Sequence, residues 1–432
     1  MKSIWQNGVT PKEFPKLEGD ASTDVLIIGG GITGLLTAYA LHNAGVNCIL
    51  VEKNRVCGGT TGHTTAKLTY QHGLIYGKLL RQYGTERAKA YLDANRLAFE
   101  RFSELCRHID CDYEIKDNFV YSTDDPDALE EEMRALDRIG YSAILKDRLP
   151  LPIKTAGAVC FREQAQFHPL KLLSHVWSEL NIFEQTPVLN VKGRKALTDT
   201  GVITAKHIVV ATHFPFINRH GAYFLKLYQH RSYVIALKNA EILDGMYVDE
   251  SKTGLSFRNY KDLLLLGGGG HRTGNKGGGY AELRMLAAKN YPRSAEVCGW
   301  AAQDCMSLDS IPYIGRYSSN DSALLVATGF NKWGMTGSML ASELLSDMIL
   351  EKKNQFFPLF DPSRSILKPQ LLINGAETAK NLLTPFGKRC THLGCRLKWN
   401  NAEHTWDCAC HGSRFSCSGD VLDGPAQKRL DV

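Results

Sequence analysis

The sequence lacks long runs of basic or acidic residues, although its 432 residues carry a formal net charge of +6. So mild a charge, spread along the chain, gives no reason to expect a nucleic-acid partner. The first residues also lack the apolar core of a secretory leader, so we expect a cytoplasmic protein. The apolar stretch Val25–Leu41 is nearly long enough to cross a bilayer, but glycines interrupt it early and charged residues flank it. We therefore expect no membrane span.

Cysteine is sparse until the end of the chain. Seven of the 12 cysteines are scattered from Cys48 to Cys305, a pattern typical of reduced, mostly buried thiols. The other five crowd into the C-terminal part, at Cys390, Cys395, Cys408, Cys410 and Cys417. Four of them lie with His392 and His411 on two loops, so that each loop offers a Cys-plus-His pair. Such pairs can bind one metal centre, either zinc or an iron–sulfur cluster in which two histidines replace two cysteines.

Near the start, a glycine-rich turn separates a short apolar strand from a helix. Val25–Ile28 is the strand, and Gly29, Gly31 and Gly34 give the spacing G-x-G-x-x-G before an Ala/Leu-rich helix. A second apolar run then ends in Glu52, where a carboxylate can bind ribose hydroxyls. This strand–turn–helix–strand unit predicts a dinucleotide site with its pyrophosphate at the helix N-terminus.

Further loops of small residues follow buried strands. Gly58–Lys67 is rich in Gly and Thr and suits a loop along a phosphate and a flavin ring. The Ala205–Thr212 strand ends in small residues, and Thr328–Gly337 leads from a strand into a helix. The glycine-rich stretch Gly267–Gly279 could be a second fingerprint, for NADH, but we predict a loop because no apolar helix is evident after it.

In combination and order, these motifs resemble the FAD-dependent oxidoreductases of the D-amino-acid oxidase, glycine oxidase and sarcosine oxidase family. Asp309–Gly315 matches a further motif of that family. The resemblance implies an α/β fold: an FAD-binding Rossmann-like domain of the glutathione-reductase type, with an interleaved antiparallel substrate subdomain. It implies FAD contacts from Gly29, Gly31, Ile32, Thr33, Gly34, Glu52, Lys53, Gly59, Thr60, Thr61, Thr64, Thr65, Ala66, Val188, Ala211, Thr212, Gly329, Phe330, Gly334, Met335 and Thr336.

We expect three consecutive parts along the chain. Residues 1–350 would form the oxidoreductase domain, with FAD-binding parts near 23–105, 150–225 and 295–350 and substrate parts near 106–149 and 226–294. Residues 351–375, which include prolines, would be a linker, and residues 376–432 a small all-β metal module.

The substrate side of the site departs from the amino-acid oxidases. Those enzymes usually hold the substrate carboxylate with an Arg before the Asp-x-x-Pro motif, whereas Asp304 lies roughly there in this sequence. An acid attracts an ammonium group, so we expect an amine substrate. The alternatives are that Asp304 only caps a turn, or that Arg231 acts as an anion clamp. Further candidates at the flavin edge are His72, Lys67, Lys332 and Trp333, with Cys305 a weak candidate for a covalent flavin tether.

The C-terminal loops closely resemble the Rieske signature. By that resemblance Cys390 and Cys408 bind one iron and His392 and His411 the other. Cys395 and Cys410 would then form a disulfide between the loops.

Three departures from the Rieske pattern affect this site. Ala409 replaces a usual Pro, and Phe415 replaces a Tyr found in some Rieske proteins, which should lower the reduction potential. Few residues lie between the expected linker and Cys390, so we expect a shortened fold in which shielding of the cluster depends on the FAD domain or a partner chain.

These features predict a two-cofactor oxidoreductase. A small-molecule substrate would give two electrons to FAD, and the [2Fe–2S] cluster would carry them singly to an unknown acceptor. The reverse direction, from an external donor through the cluster to FAD, is also open, as is a homo-oligomer. The alternative function is a non-catalytic redox sensor or electron carrier that uses the cluster.

Overall fold

The computed structural model describes residues 2–7, 9, 12–217, 221–251, 254–319 and 321–431. Within them the helices are α1 (Ile32–Asn43), α2 (Tyr76–Arg107), α3 (Pro126–Arg138), α4 (Pro169–Val176), α5 (Tyr223–Lys226), α6 (Gly279–Asn290), α7 (Gly334–Ile349), α8 (Phe357–Phe360) and α9 (Pro369–Leu383). Short 3₁₀ helices cover Ile4–Gln6, Thr60–His63 and Trp177–Glu179.

The strands form three sheets. They are β1 (Ala21–Ile28), β2 (Cys48–Val51), β3 (Lys67–Leu68), β4 (Glu114–Ser122), β5 (Ile144–Lys146), β6 (Gly157–Gln166), β7 (Ile182–Phe183), β8 (Val188–Lys192), β9 (Lys195–Thr198), β10 (Val202–Val210), β11 (Leu227–Lys238), β12 (Met246–Asp249), β13 (Ser256–Tyr260), β14 (Leu263–Arg272), β15 (Ala295–Ser307), β16 (Tyr313–Ser318), β17 (Asp321–Thr328), β18 (Leu397–Asn400), β19 (Thr405–Cys408), β20 (Arg414–Phe415) and β21 (Val421–Asp423).

The first sheet is built around β1, which is parallel to both β10 and β2. Its strand order is β16-β17-β10-β1-β2-β7, with β9 and β8 added beside β10. Val25–Ile28 are buried on both faces, as a central parallel strand requires. Helices α1 and α7 pack against each other over this sheet. The predicted Rossmann-like core is confirmed.

The second sheet has the order β15-β11-β14-β13-β12-β4-β6-β3 and is mainly antiparallel, as predicted for the substrate subdomain. Three of its strands, β3, β6 and β15, fall in stretches that we expected to belong to the FAD-binding parts. Residues 267–272, expected to begin a glycine-rich loop, instead continue β14 in this sheet. Helix α6 does follow it, but its partners β11 and β13 are antiparallel, so no second dinucleotide unit forms.

A small four-stranded sheet, β18-β19-β20-β21, lies at the C-terminal end. We call residues 369–431, which include α9 and this sheet, the C-terminal module. The preceding segment, expected to be a linker, is anchored to the domain before it. Arg364 forms a two-pronged ion pair with Asp309, at 2.8 and 2.9 Å, and stacks over Tyr313. None of the described helices is long and apolar enough to cross a membrane.

Candidate cofactor sites

A cavity of about 1300 Å³ begins at the carboxyl end of the first sheet and extends to the second sheet and the C-terminal module. Parallel α/β folds bind their ligands in such a crevice, because loops and helix N-termini converge there. The wall includes the G-x-G-x-x-G turn, the Gly/Thr loop and the start of α7.

Each glycine of the first turn is required for a different physical reason. Gly29 has φ +114°, and a Cβ there would lie 2.5 Å from the carbonyl oxygen of Ala211. A Cβ on Gly34 would lie 2.0 Å from the carbonyl oxygen of Gly29, so this glycine lets α1 pack against the turn. The Gly31 backbone faces the cavity, while Glu52 accepts a 2.9 Å hydrogen bond from the Gly30 amide. The turn thus has the cradle that a dinucleotide needs.

Most of the predicted FAD-contacting residues line this cavity. Four do not: Gly34, Ala66, Gly329 and Thr336. Gly34 acts through packing, as described above. The Thr336 hydroxyl donates to the carbonyl of Thr69 at 2.6 Å and so joins α7 to the chain after β3. Gly34 and Thr336 thus support the cavity through packing and a hydrogen bond.

Asp304 and Lys332 both lie on the cavity wall. Asp304 belongs to β15, so it does not cap a turn. Its carboxylate makes no side-chain hydrogen bond to any residue that the structure describes. Burial raises the pKa of Asp304, and the positive charge of Lys332 opposes that rise. Burial lowers the pKa of Lys332, and Asp304 counteracts the effect. This pair could hold a charged substrate group or exchange a proton with it.

The other candidates at the flavin edge also reach the cavity. His72 stacks on Trp333 with ring centroids 5.1 Å apart, and its Nδ1 lies 2.8 Å from the Tyr91 hydroxyl. Burial lowers the pKa of His72 to about 3, so the ring is neutral near pH 7. Burial and the nearby Arg258 lower the pKa of Lys67 to about 7. Cys305 lines the cavity too, and its sulfur lies 3.5 Å from the Thr328 hydroxyl.

Arg231 is already engaged by a carboxylate of the C-terminal module. Its Nε donates to Glu403 at 2.7 Å, and a second guanidinium nitrogen completes the two-pronged pair. Arg414 also pairs with Glu403, at 3.1 Å. Burial alone would raise the pKa of Glu403, but these two guanidinium groups outweigh it and hold the pKa at about 2. The charge of Arg231 is therefore already balanced by Glu403 within the protein.

Sequence reasoning missed the contribution of the C-terminal module to this cavity. Glu403, Arg414 and the segment 421–427 line its far wall. They lie well over 150 residues beyond Arg231 in the chain, and no local motif signals that contact. The cavity is therefore closed by two parts of the chain.

The two Cys/His loops of the C-terminal module have the same backbone design. In the first, the Gly394 amide donates to the Cys390 carbonyl at 2.9 Å, and in the second the Gly412 amide donates to the Cys408 carbonyl at 2.9 Å. Both glycines have φ +76°. This left-handed conformation suits glycine and turns each loop back on its first cysteine.

The loops bring the predicted ligands together. The rings of His392 and His411 have centroids 5.0 Å apart. The thiols of Cys390 and Cys408 interact, which lowers the pKa of Cys390 to about 7, and backbone amides of the loop add to this effect. Sulfurs of Cys395, Cys408 and Cys410 lie within 4.8 Å of one another. However, Cys395 and Cys410 form the predicted disulfide, so they do not serve as thiolate ligands.

The donor set fits a [2Fe–2S] cluster. The Nδ1 of His411 is buried and has no hydrogen-bond partner among the described residues. Its Nε2 lies 3.1 Å from the Phe224 carbonyl, an outer partner of the kind that orients a ligand histidine. Cys390, Cys408 and His411 are at most 3% exposed, whereas His392 is half-buried. The oxidoreductase domain thus shields one side of this site.

Comparison with known proteins agrees with both sites. Residues 24–348 match the DAO family of FAD dependent oxidoreductases, and residues 364–432 match the Rieske [2Fe-2S] domain. The first match covers well over half of the chain, so the protein belongs to this family of FAD-dependent oxidoreductases. It binds FAD through the family fold and a [2Fe–2S] cluster through its Rieske domain, which implies an electron-transfer partner.

Individual relatives define the resemblance further. The chain is 36% identical to the Rieske 2Fe-2S iron-sulfur protein YhfW of Bacillus subtilis (strain 168), over 99% of this chain and 97% of that protein. It is 23% identical to gamma-glutamylputrescine oxidoreductase of Escherichia coli (strain K12), over 79% and 87% of the two chains. Glycine oxidase from Geobacillus kaustophilus shares the fold, with TM-score 0.66 and 21% identity over 80% of this chain and 100% of its own.

Proposed function

We propose that the protein oxidises an amine at FAD and passes the electrons singly through its Rieske cluster to an external acceptor. When bound, FAD accepts a pair of electrons, whereas a [2Fe–2S] cluster carries one at a time. Joining both in one chain converts a two-electron oxidation into two single-electron steps.

The amine assignment rests on a difference between two charged side chains on the cavity wall: one has a partner within the protein, and the other has no hydrogen-bond donor among the described residues. Arg231, the anion clamp considered from sequence, is paired with Glu403. Asp304 lines the same cavity, and its carboxylate accepts no hydrogen bond from the described residues. A substrate ammonium group could pair with Asp304, whereas a substrate carboxylate would be repelled by it.

A relative supports this substrate class. Gamma-glutamylputrescine, in the name of the Escherichia coli relative, is an amine derivative. Two lysines on the wall of the cavity suit the chemistry that an amine requires. Lys332 and Lys67, whose pKa values are lowered by burial, could accept the proton that an ammonium must lose before its carbon is oxidised.

Anaerobic mixing of the purified protein with a substrate panel tests this assignment. The panel contains simple primary and secondary amines beside the amino acids of matching carbon skeleton, and the flavin absorbance is followed. We expect amines to bleach the flavin and amino acids to do so far more slowly. Rapid bleaching by amino acids and none by amines would exclude the amine assignment.

Two further parts belong to the same proposal. A separate C-terminal part is supported by its own sheet, and the continuous helix α9 favours a boundary near residue 369 rather than 376. A cytoplasmic location is supported by the ten described cysteines outside the disulfide, most of them buried thiols.

A further inference from the structure

One buried residue joins the two cofactor sites directly, through its main-chain carbonyl on one side and its side chain on the other. Gln303 lies on β15, is 1% exposed, and lines the cavity. On one side, the hydroxyl of Thr60 in the Gly/Thr loop donates to the Gln303 carbonyl at 3.0 Å. On the other side, the Gln303 side-chain amide donates from Nε2 to the carbonyl of Gly412 at 2.9 Å. Gly412 is covalently joined to the cluster ligand His411.

The orientation of the Gln303 amide is fixed by a third contact. The hydroxyl of Thr273 donates to Oε1 of Gln303 at 3.1 Å, so the NH₂ group must point at Gly412. The surrounding backbone contacts are equally close. A Cβ on Gly412 would lie 2.2 Å from Cγ of Gln229, and one on Gly274 would lie 2.5 Å from the Ala409 amide nitrogen. The backbone of the loop 408–413 is therefore in direct contact with the wall of the FAD cavity.

We propose that Gln303 is the positioning residue that couples the two redox sites. It holds the loop 408–413 against the cavity wall and supplies a route of two hydrogen bonds from Thr60 to the residue beside His411. With both cofactors bound, each passage would move one electron from the reduced flavin to the cluster, taking it from two ferric ions to one ferric and one ferrous, and the protons of the reduced flavin would be released to water. A one-electron acceptor outside the chain then reoxidises the cluster, and two passages return the flavin to its oxidised state. This inference rests on the proposed direction of electron flow.

The chain offers a matched control for Gln303. Gln229 is also 1% exposed and touches the same glycine, but its side-chain nitrogen and oxygen have no hydrogen-bond partner among the described residues. Gln303→Leu and Gln229→Leu therefore replace a polar side chain by an apolar one of similar size at the same interface. The first breaks the route to Gly412, whereas the second leaves it in place.

The test reduces the flavin with a light flash, using EDTA as the sacrificial electron donor, in anaerobic protein that holds both cofactors. This source of electrons does not depend on the amine assignment. Absorbance and freeze-quenched EPR then follow the appearance of the reduced cluster. We expect Gln303→Leu to slow cluster reduction about tenfold, as loss of one well-placed hydrogen bond would. Gln229→Leu should stay within about twofold of wild type by the same scale.

A second variant separates positioning from a loss of folding. In Gln303→Glu the neutral acid can still donate to the Gly412 carbonyl, whereas the carboxylate cannot. The ratio of its transfer rate to that of wild type should therefore fall as pH rises through the pKa of the new carboxyl. Equal rates in Gln303→Leu and wild type, equal slowing by both Leu variants, or a pH-independent ratio for Gln303→Glu would each overturn the proposal. If amines fail to bleach the flavin while the flash results hold, the amine assignment falls and the route remains.

Discussion

Individual site residues could be predicted where all the residues of a pattern lie in one short loop. The spacing of Gly29, Gly31 and Gly34 and the two Cys/His loops each report a local backbone requirement, and the structure brings each set together. Asp304, considered because of its place before the Asp-x-x-Pro motif, lines the cavity. By contrast, the partner of Arg231 and the bridge from Gln303 to Gly412 join residues more than a hundred positions apart. No local pattern encodes such contacts, because they depend on how the sheets and the module pack.

Replacing Asp304 tests the amine assignment by removing a single negative charge from the cavity wall. We expect Asp304→Asn to lower kcat/KM for the best amine about tenfold to a hundredfold, since a hydrogen bond to a charged group is lost. Flavin content and absorbance should not change. Steady-state kinetics at several amine concentrations measures this. Glu250→Gln is the control, because Glu250 lines the same cavity but already accepts a hydrogen bond from Ser122. An equal loss in both variants would argue against a specific role for Asp304.

Gly34 offers a prediction about cofactor retention. A Cβ at this position meets a backbone oxygen at 2.0 Å, so the turn must move. We expect Gly34→Ala to cost about 1–3 kcal/mol, as overpacking does, and to yield protein with much less bound FAD. Gly375→Ala in α9 is the control, because its Cβ would enter open space. The ratio of flavin to protein absorbance gives the result, and full FAD content in Gly34→Ala would refute the packing argument.

At the scale of elements, strands were easier to predict than their partners. Apolar runs identified β1 and β2, whereas β3, β6 and β15 were expected among the FAD-binding parts and pair in the second sheet, since a buried strand has the same composition in either sheet. The prolines before α9 indicated a linker. Arg364 within that segment nevertheless finds Asp309, and this ion pair anchors it.

The docking of the C-terminal module on β11 depends on the pairing of Arg231 with Glu403. Removing one member leaves buried charge uncompensated, which typically costs about 3–5 kcal/mol. We expect Glu403→Gln to increase hydrogen exchange in β11 and in β19–β20, and Arg231→Met to do the same. The double variant should lose less than the sum of the two. Strictly additive losses would show that the pair does not couple the elements.

The Arg231–Glu403 pair also predicts that docking of the C-terminal module depends on pH. The pKa of Glu403 is held at about 2 in the folded protein, below its ordinary value of 4.5. A carboxyl with a depressed pKa stabilises the folded state above its ordinary pKa and loses that contribution as pH falls toward the folded value. Docking should therefore weaken between about pH 4.5 and 2. Hydrogen exchange in β11 across this range measures the change, and Glu403→Gln should show a smaller one.

At the scale of the whole molecule, the sequence raised the concern that a shortened Rieske domain would leave its cluster poorly shielded. The structure answers this through docking. The oxidoreductase domain covers Cys408 and His411, while the half-buried His392 remains the ligand closest to solvent. The module in turn closes the FAD cavity with its segment 421–427. Each part completes the site of the other, so the two cofactors are expected to act as one unit.

The most direct test of this account is anaerobic stopped-flow mixing of the holoprotein with the best amine, followed at flavin and cluster wavelengths. The account predicts that the flavin bleaches first and that the cluster then becomes reduced within the turnover time, with the EPR signal of a reduced Rieske centre. A flavin that bleaches while the cluster stays oxidised throughout turnover would contradict it.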